Sequence, residues 1–274
     1  MILKEKWKRG VAAVVAALSV VALSPAAASA AGTVGAPQYP DLVTLTPADL
    51  HLGTAQVNGQ NHYVVRFSNM VKNAGQGPLE LHGIPHVPYD GLSDAYQWIY
   101  ESPVGVSQQR VGTFVFHPSH DHFHFDNFAR YEIWTQRSYD RAKAANFTTG
   151  KPLAVAAKQS FCLIDSSGPP LFDSNGGLNT SGGSLVGPYQ TCTPVMEGLS
   201  VGWTDLYDWL LPDQWVDVGQ TPLLDGSYVV RSIVDPDNLL YESAAKADPA
   251  RDGQVANSAV APFSIVNGRL AGGA

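Results

Sequence analysis

Residues 228–234 read Tyr-Val-Val-Arg-Ser-Ile-Val, a run of aromatic and β-branched side chains that follows Gly226 and stops at Asp235-Pro236. Such side chains favour extended backbone, and glycine, proline, asparagine and aspartate interrupt it. Four further runs of this kind have similar boundaries, at residues 63–68, 113–116, 128–134 and 215–218. The sequence therefore predicts strands at these five places.

Helical signals are weak after the N-terminal segment. Two short stretches, residues 142–145 and 205–211, are helix candidates, and no internal repeat or linker-like change of composition follows residue 31. A chain of many short strands buries its apolar side chains in an antiparallel β domain. We therefore predict a mainly β fold: a single antiparallel β-sandwich-like domain over residues 31–274, with long functional loops and few short helices.

The first thirty residues are predicted to be a secretory signal peptide. Four basic side chains within residues 4–9 precede the apolar run 11–23, and alanine and serine fill residues 26–30. An apolar run of about 13 residues is shorter than the roughly 20 that a membrane-spanning helix needs. Cleavage is expected near Ala30, and the mature chain is expected to be secreted, extracellular and without a stable membrane anchor.

The chain is acidic, with 17 Lys and Arg against 24 Asp and Glu and a net charge of -7. Residues 1–30 hold four of the basic residues and one glutamate, so their removal leaves 13 against 23 and a net charge of -10. Such a surface repels phosphate, which argues against nucleic acid as a partner. The same field concentrates cationic partners such as amines and lysine-rich proteins.

The chain has two cysteines, Cys162 and Cys192. Two cysteines in an oxidising extracellular compartment are expected to pair. A bridge that closes a loop of about 30 residues stabilises a fold by roughly 3–4 kcal/mol. We therefore predict a Cys162–Cys192 disulfide.

Residues 117–126 read His-Pro-Ser-His-Asp-His-Phe-His-Phe-Asp and hold four of the eight histidines. His120, His122 and His124 alternate, so in extended backbone their imidazoles share one face at intervals of roughly 6.5–7 Å. A twist or bend lets three such rings converge on one ion. An all-nitrogen triad favours Cu(II) or Zn over magnesium or calcium. The sequence thus predicts a metal site on these three histidines, with His117 as a further candidate ligand.

A histidine-rich tract also occurs as an adventitious metal binder or as a solvated face. The strict alternation and the apolar strand that follows favour a built metal site over that alternative. The other four histidines lack such spacing and are expected to be structural or exposed: His51, His62, His82 and His86.

Three separated blocks of sequence resemble the lysyl oxidase family. The histidine segment is similar to the copper-binding signature of that family, and residues 158–165, Lys-Gln-Ser-Phe-Cys-Leu-Ile-Asp, resemble its Lys-Ala-Ser-Phe-Cys-Leu-Glu-Asp. Residues 198–207 and 213–218 are similar to its Gly-Leu-Ser, Gly, Asp, Tyr and Asp-Cys-Gln-Trp-Ile-Asp. Weaker similarity extends the resemblance over residues 40–265. The chain looks like a minimal, bacterial-type lysyl oxidase catalytic domain.

The resemblance implies a copper-dependent amine oxidase that makes a quinone from its own side chains. In the family, copper and dioxygen oxidise a tyrosine in place, and a lysine amine adds to the ring to give lysine tyrosylquinone. Tyr207 and Lys158 match those two positions. Such an enzyme converts peptidyl-lysine or small primary amines to aldehydes and releases hydrogen peroxide and ammonia. Asp205 matches an aspartate in the same family block and is a candidate base or partner for the substrate ammonium. A structural, turn-capping role for Asp205 is an alternative. The other candidates for the base are Asp121, Asp126 and Asp165.

Only an unprotonated amine attacks a quinone ring, so Lys158 is expected to be desolvated. Without the resemblance, Lys158 would be interpreted as a surface lysine and Tyr207 as a core aromatic residue.

The resemblance also implies a calcium site at the junction of the two chain ends. Its ligands would be hard oxygen atoms from Asp41, the Leu42 carbonyl, Glu242 and Asn257. Residues 244–256 look like an insertion between the last two. The chain lacks most of the cysteines of the animal enzymes, and Ile164 stands where the family has glutamate.

Two other functions remain open at this point. The chain could be a copper-binding protein of the same fold that forms no quinone, or a zinc-dependent hydrolase that uses the histidine triad and a metal-bound water. Neither alternative requires Lys158 and Tyr207. Their joint presence in matching blocks therefore favours the oxidase.

Overall fold

The computed structural model describes residues 36–101, 105–168, 187–243 and 257–271, and all structural statements concern these ranges. The predicted signal peptide at residues 1–30 and the predicted insertion at 244–256 lie outside them.

Strands dominate the described residues, which hold one helix. In chain order the elements are β1 (Pro37–Gln38), β2 (Leu42–Thr44), β3 (Ala48–Val57), β4 (Gln60–Asn73), β5 (Leu79–Pro85), β6 (Leu92–Glu101), β7 (Val106–His117), β8 (His122–Phe125), β9 (Ala129–Thr135), α1 (Gln136–Ala144), β10 (Ala154–Val155), β11 (Met196–Leu199), β12 (Thr204–Tyr207), β13 (Trp215–Gly219), β14 (Gly226–Val234), β15 (Ser258–Val266) and β16 (Arg269–Ala271).

These strands form three antiparallel sheets within the described residues. The first has the order β11-β5-β6-β7-β8, with β1 also paired to β6, and the second has the order β10-β9-β14-β15-β16. The third is built on the long strand β4, which pairs with β2, β3, β12 and β13. Each sheet contributes to one hydrophobic core: Phe114, Tyr131 and Phe67 come from the first, second and third sheets and are almost fully buried. The predicted mainly β, antiparallel fold is confirmed, with three sheets around this core.

Strand β14 is central in its sheet and is covered on both faces. It pairs with β9 on one side and β15 on the other. Val230 packs into the main core, whereas its neighbour Val229 packs into a smaller cluster with Trp134, Tyr139 and Ala142 beneath α1. Successive side chains of a strand point to opposite faces, so consecutive apolar residues such as Val229 and Val230 suit a strand that is covered on both faces.

All five predicted strands are present, within β4, β7, β9, β13 and β14. The predicted helix at 142–145 corresponds to the end of α1, which begins earlier because Thr135 caps it: the Ser138 amide donates to Thr135 Oγ1 at 3.2 Å.

The prediction of a helix at 205–211 is wrong. Residues 204–207 form β12, in which Asp205 and Tyr207 are buried and Leu206 between them is 38% exposed. Backbone pairing of β12 with β4 outweighs the weak helical propensity of this short segment.

The predicted disulfide is confirmed: Cys162 and Cys192 are bonded, with their Cα atoms 5.6 Å apart. It joins the segment after β10 to the segment that leads into β11. In the ranges described above, no helix has the length and apolar character needed to cross a bilayer.

Candidate active site

The histidine cluster is built by the hairpin of β7 and β8. His117 ends β7 and lies opposite His122, the first residue of β8. The chain reverses between them, where the amides of His120 and Asp121 both donate to the His117 carbonyl at 3.0 Å and Asp121 has a φ of 57°. His120 therefore lies in the turn, and only His122 and His124 follow the alternation of the strand. The segment is thus a hairpin and not one extended strand, because Pro118 and the left-handed Asp121 make a tight turn.

The three predicted metal ligands converge. One nitrogen from each of His120, His122 and His124 lies within 4.8 Å of the other two. His122 Nε2 and His124 Nε2 are 3.0 Å apart, and His120 Nε2 is buried with no hydrogen-bond partner. Nitrogens that face one another in this way fit a shared cation, and a set of imidazoles fits copper or zinc. In the part of the chain that the structure describes, no other group of three or more His, Cys, Asp or Glu side chains is arranged to hold a metal.

The fourth histidine of the segment borders the cluster. The His117 ring stacks on His124 at a centroid distance of 4.8 Å, and its Nδ1 lies 2.9 Å from Ser119 Oγ. The structure thus places His117 beside the three converging imidazoles, and its role as a ligand stays a prediction.

The surroundings keep these imidazoles neutral. Burial, followed by the charge of Lys158, lowers the pKa of His120 to about 4 and that of His124 to about 2. Burial also lowers the pKa values of His117 and His122. The neutral form is the form that binds metal. His124 Nδ1 lies 3.3 Å from Ser160 Oγ, a contact that orients the ring.

Lys158 lies half-buried next to this cluster. Its Nζ is 5.3 Å from the centroid of the Phe161 ring. Burial lowers its pKa to about 8, although the Asp213 carboxylate acts in the opposite direction. The amine is therefore partly unprotonated near neutral pH.

Tyr207 is buried and also packs on Phe161. The two rings meet edge to face at a centroid distance of 4.6 Å, and the Tyr207 hydroxyl donates to the carbonyl oxygen of Cys162. Burial and the neighbouring Asp205 raise the pKa of the phenol well above its ordinary value. In this arrangement Tyr207 keeps its proton.

Residues 158–162 connect the three parts of the predicted site. Ser160 contacts His124, and Phe161 contacts both the Lys158 amine and the Tyr207 ring. The Lys158 amine lies 5.3 Å and the centre of the Tyr207 ring 4.6 Å from the Phe161 centroid. The distance between the amine and the Tyr207 ring centre is therefore at most the sum of these two distances. One short segment, anchored by the disulfide at its end, brings the histidines, the lysine and the tyrosine into one neighbourhood.

Asp205 lies beside Tyr207 in a buried polar region. It is 1% exposed, one of its carboxyl oxygens has no hydrogen-bond partner, and burial raises its pKa well above the ordinary value. The same polar region holds the Tyr131 hydroxyl, on whose pKa the charge of Asp205 acts. This hydroxyl faces the side-chain amides of Asn69 and Gln214 without a well-aligned hydrogen bond to either. Burial thus favours the neutral form of the Asp205 carboxyl group, a form that can donate a hydrogen bond. Its role as a base stays a prediction.

Sequence reasoning missed Asp213. A cavity of about 240 Å³ lies beside the histidine cluster and is lined by His117, Ala157, Lys158, Asp213 and Trp215. Asp213 stands at the head of a family-like block, but nothing local indicates that its side chain shares a cavity with Lys158.

The structure also brings together the residues of the predicted calcium site. The Leu42 amide donates to Glu242 Oε2, and Asn257 Nδ2 donates to Glu242 Oε1 at 2.8 Å. Burial raises the pKa of Glu242 to about 8, and the nearby Asp41 acts in the same direction. Both carboxyl oxygens accept hydrogen bonds from the protein, and it is the Leu42 amide that faces Glu242. Calcium binding stays a prediction.

The remaining histidines all have partners outside the cluster. His62 Nδ1 lies 2.8 Å from Asp217, His82 stacks on Trp98 at 3.8 Å, His51 stacks on Trp209 at 3.8 Å, and His86 Nδ1 lies 3.0 Å from Asp90. These contacts agree with structural roles.

Known proteins are similar to the part of the chain that builds this site. The family model described as lysyl oxidase matches residues 106–252, more than half of the chain. Lysyl oxidase homolog 1 of Homo sapiens is 30% identical over 132 residues, which are 48% of this chain and 18% of that protein. Protein-lysine 6-oxidase of Gallus gallus is 26% identical over 186 residues, 67% of this chain and 31% of that protein. The Sus scrofa protein of the same name is 26% identical over 193 residues, 69% and 55% of the two chains. The chain thus spans less than two thirds of the length of these relatives. With the family match over more than half its length, the chain belongs to the lysyl oxidase family.

Proposed function

We propose that this chain is a secreted, copper-dependent amine oxidase that deaminates peptidyl-lysine or small primary amines oxidatively to aldehydes, with dioxygen as acceptor and hydrogen peroxide and ammonia as further products. Its quinone would be lysine tyrosylquinone, made from Tyr207 and Lys158. The observation that carries the proposal is the segment 158–162, which contacts the histidine cluster, holds the amine and packs on the phenol.

Each side chain has a defined task in this proposal. His120, His122 and His124 hold the metal, and Ser160 keeps the His124 ring in place. When bound, copper supplies the oxidation of the Tyr207 ring by dioxygen, and the resulting quinone supplies the electron sink for amine oxidation.

The chain prepares both reacting side chains. The lowered pKa of Lys158 provides an unprotonated amine near neutral pH, and Phe161 keeps water from the buried face of Tyr207. The Tyr207 hydroxyl donates its hydrogen bond to the Cys162 carbonyl, which holds the phenol in position. Asp205 stands beside the same hydroxyl, and burial raises the pKa of its carboxyl group well above the ordinary value.

The proposed substrates and compartment rest on the family and the sequence. Two relatives are named protein-lysine 6-oxidases, and the net charge of -7 favours encounters with cationic amines. Secretion is supported by the predicted signal peptide at residues 1–30 and by the disulfide.

Reconstitution with copper in air tests the proposal. We expect quinone absorbance, a tryptic fragment that joins Lys158 to Tyr207, and hydrogen peroxide release on addition of a primary amine. Lys158→Ala and Tyr207→Phe should abolish all three, whereas the matched changes Lys151→Ala and Tyr63→Phe at exposed positions should not. If the protein binds one equivalent of copper but forms neither the cross-link nor hydrogen peroxide, the result would favour a copper-binding protein that forms no quinone. Hydrolytic activity that depends on zinc would favour the zinc-dependent hydrolase.

A further inference from the structure

The cavity beside the histidine cluster pairs one carboxylate with one amine. Asp213 and Lys158 both line it, together with His117, Ala157 and Trp215. Asp213 forms no ion pair within 4.0 Å in the described part of the chain, although its charge reaches Lys158, His117 and His120. Asp213 is thus a half-buried anion whose nearby counter-charge is the Lys158 ammonium.

Cross-linking removes that counter-charge. Dioxygen first oxidises the Tyr207 ring to an ortho-quinone, with one oxygen atom entering the ring and the other leaving as water. Lys158 then joins this ring: a nitrogen–carbon bond replaces one N–H and one ring C–H bond, and a second dioxygen takes up the two protons and two electrons as hydrogen peroxide. The nitrogen lone pair is then delocalised into the ring carbonyl, so the nitrogen no longer carries a positive charge at neutral pH. Asp213 remains as an uncompensated carboxylate in the cavity.

We propose that Asp213 binds the ammonium group of the substrate, and that the joining of Lys158 to Tyr207 creates this binding site by removing the charged amine from the cavity. The claim that cross-linking creates the binding site rests on the proposed function. The cavity and its Asp213 carboxylate are present without the cross-link. The Trp215 ring supplies a second surface suited to a cation. The ligand class is a primary alkylammonium, free or at the end of a lysine side chain.

The backbone at this residue supplies a matched control. Asp213 has a left-handed φ of 60°, a conformation that asparagine also tolerates, so Asp213→Asn removes the charge and preserves the turn. Asp49 is an exposed aspartate with a left-handed φ of 50°. Asp49→Asn therefore makes the same chemical change in the same backbone conformation, away from the cavity.

The first experiment needs neither copper nor quinone. Tetramethylammonium binding is followed by saturation-transfer NMR in metal-free wild type, Lys158→Met, and Lys158→Met combined with Asp213→Asn. Lys158→Met should bind the ion about tenfold more tightly than wild type, and the double variant should lose that gain. Equal binding by all three proteins would overturn the proposal, whatever the fate of the proposed oxidase.

The second experiment uses the copper-matured protein. A cationic trimethylammonium hydrazide and neutral acetohydrazide label the quinone, and the ratio of their labelling rates reports the charge of the cavity. Asp213→Asn should lower the labelling rate of the cationic hydrazide relative to that of the neutral one. It should also raise KM for a primary amine about 10- to 100-fold, with a smaller change in kcat. Asp49→Asn should change neither the ratio of labelling rates nor KM. An unchanged ratio and KM in labelled Asp213→Asn would overturn the assignment while the oxidase stands. Absence of label in wild type would instead refute the proposed function.

Discussion

The protonation state of Lys158 makes the rate of quinone formation depend on pH in a defined way. Burial lowers the pKa of this amine from 10.5 to about 8. At pH 7 an amine of pKa about 8 is unprotonated in roughly one molecule in ten, against about one in three thousand at the unperturbed value. The fold therefore supplies about 300 times more of the attacking form than an exposed lysine would.

The assay measures the rate of cross-link formation as a function of pH. Metal-free protein is mixed with excess copper in air-saturated buffers from about pH 6 to about pH 10, and the cross-linked Lys158–Tyr207 fragment is quantified by mass spectrometry at fixed times. The rate should rise about tenfold per pH unit below about pH 7 and level off above about pH 9, where about nine tenths or more of the amine is unprotonated. Asp213→Asn removes the carboxylate that raises the Lys158 pKa, so its profile should shift to lower pH. A rate that keeps rising to about pH 10 would show that Lys158 is not desolvated and would refute this reasoning.

Three further changes test the parts that support the site. Ser160→Ala should weaken copper affinity by about 10- to 100-fold in a competition titration, because His124 loses the contact that orients its ring; unchanged affinity would contradict this role. Replacing both disulfide cysteines, Cys162 and Cys192, by alanine should lower the free energy of unfolding by roughly 3–4 kcal/mol in urea titrations, since a loop with a sequence separation of 30 is released. Phe161→Ala should cost about 3–5 kcal/mol by the same measurement, because this fully buried ring packs on Tyr131 and Tyr207; a loss below about 1 kcal/mol would mean that the core closes around the gap.

Local sequence patterns predicted the fold class well. Aromatic and β-branched runs correspond to β4, β7, β9, β13 and β14, because these side chains favour extended backbone wherever they pack. The disulfide followed from cysteine number and compartment, and the metal-binding potential followed from four histidines within eight residues. The strands and the histidine cluster are formed by residues that are close in sequence, and the disulfide is formed by the two cysteines of the chain. These features could therefore be predicted without knowledge of the fold.

Tertiary structure decided the features that depend on distant partners. The local sequence of residues 205–211 favours a helix, yet residues 204–207 pair with β4 as a strand. In this strand the side chains of Asp205 and Tyr207 are buried in the core. His120 reaches the cluster from a turn and not from the strand. Backbone hydrogen bonds between remote segments outweigh the small differences in local propensity.

The sequence by itself determined which chemical groups this protein has: three alternating imidazoles, a lysine and a tyrosine in blocks like those of one family, and an acidic surface. Only the tertiary structure decided their environment. It placed Lys158 and Tyr207 against the same Phe161 ring, buried Asp205, and opened a cavity that Asp213 and Lys158 both line. The reason is physical: desolvation and charge act through space over a few ångströms, and neighbours in space are set by sheet pairing and core packing, not by position along the chain.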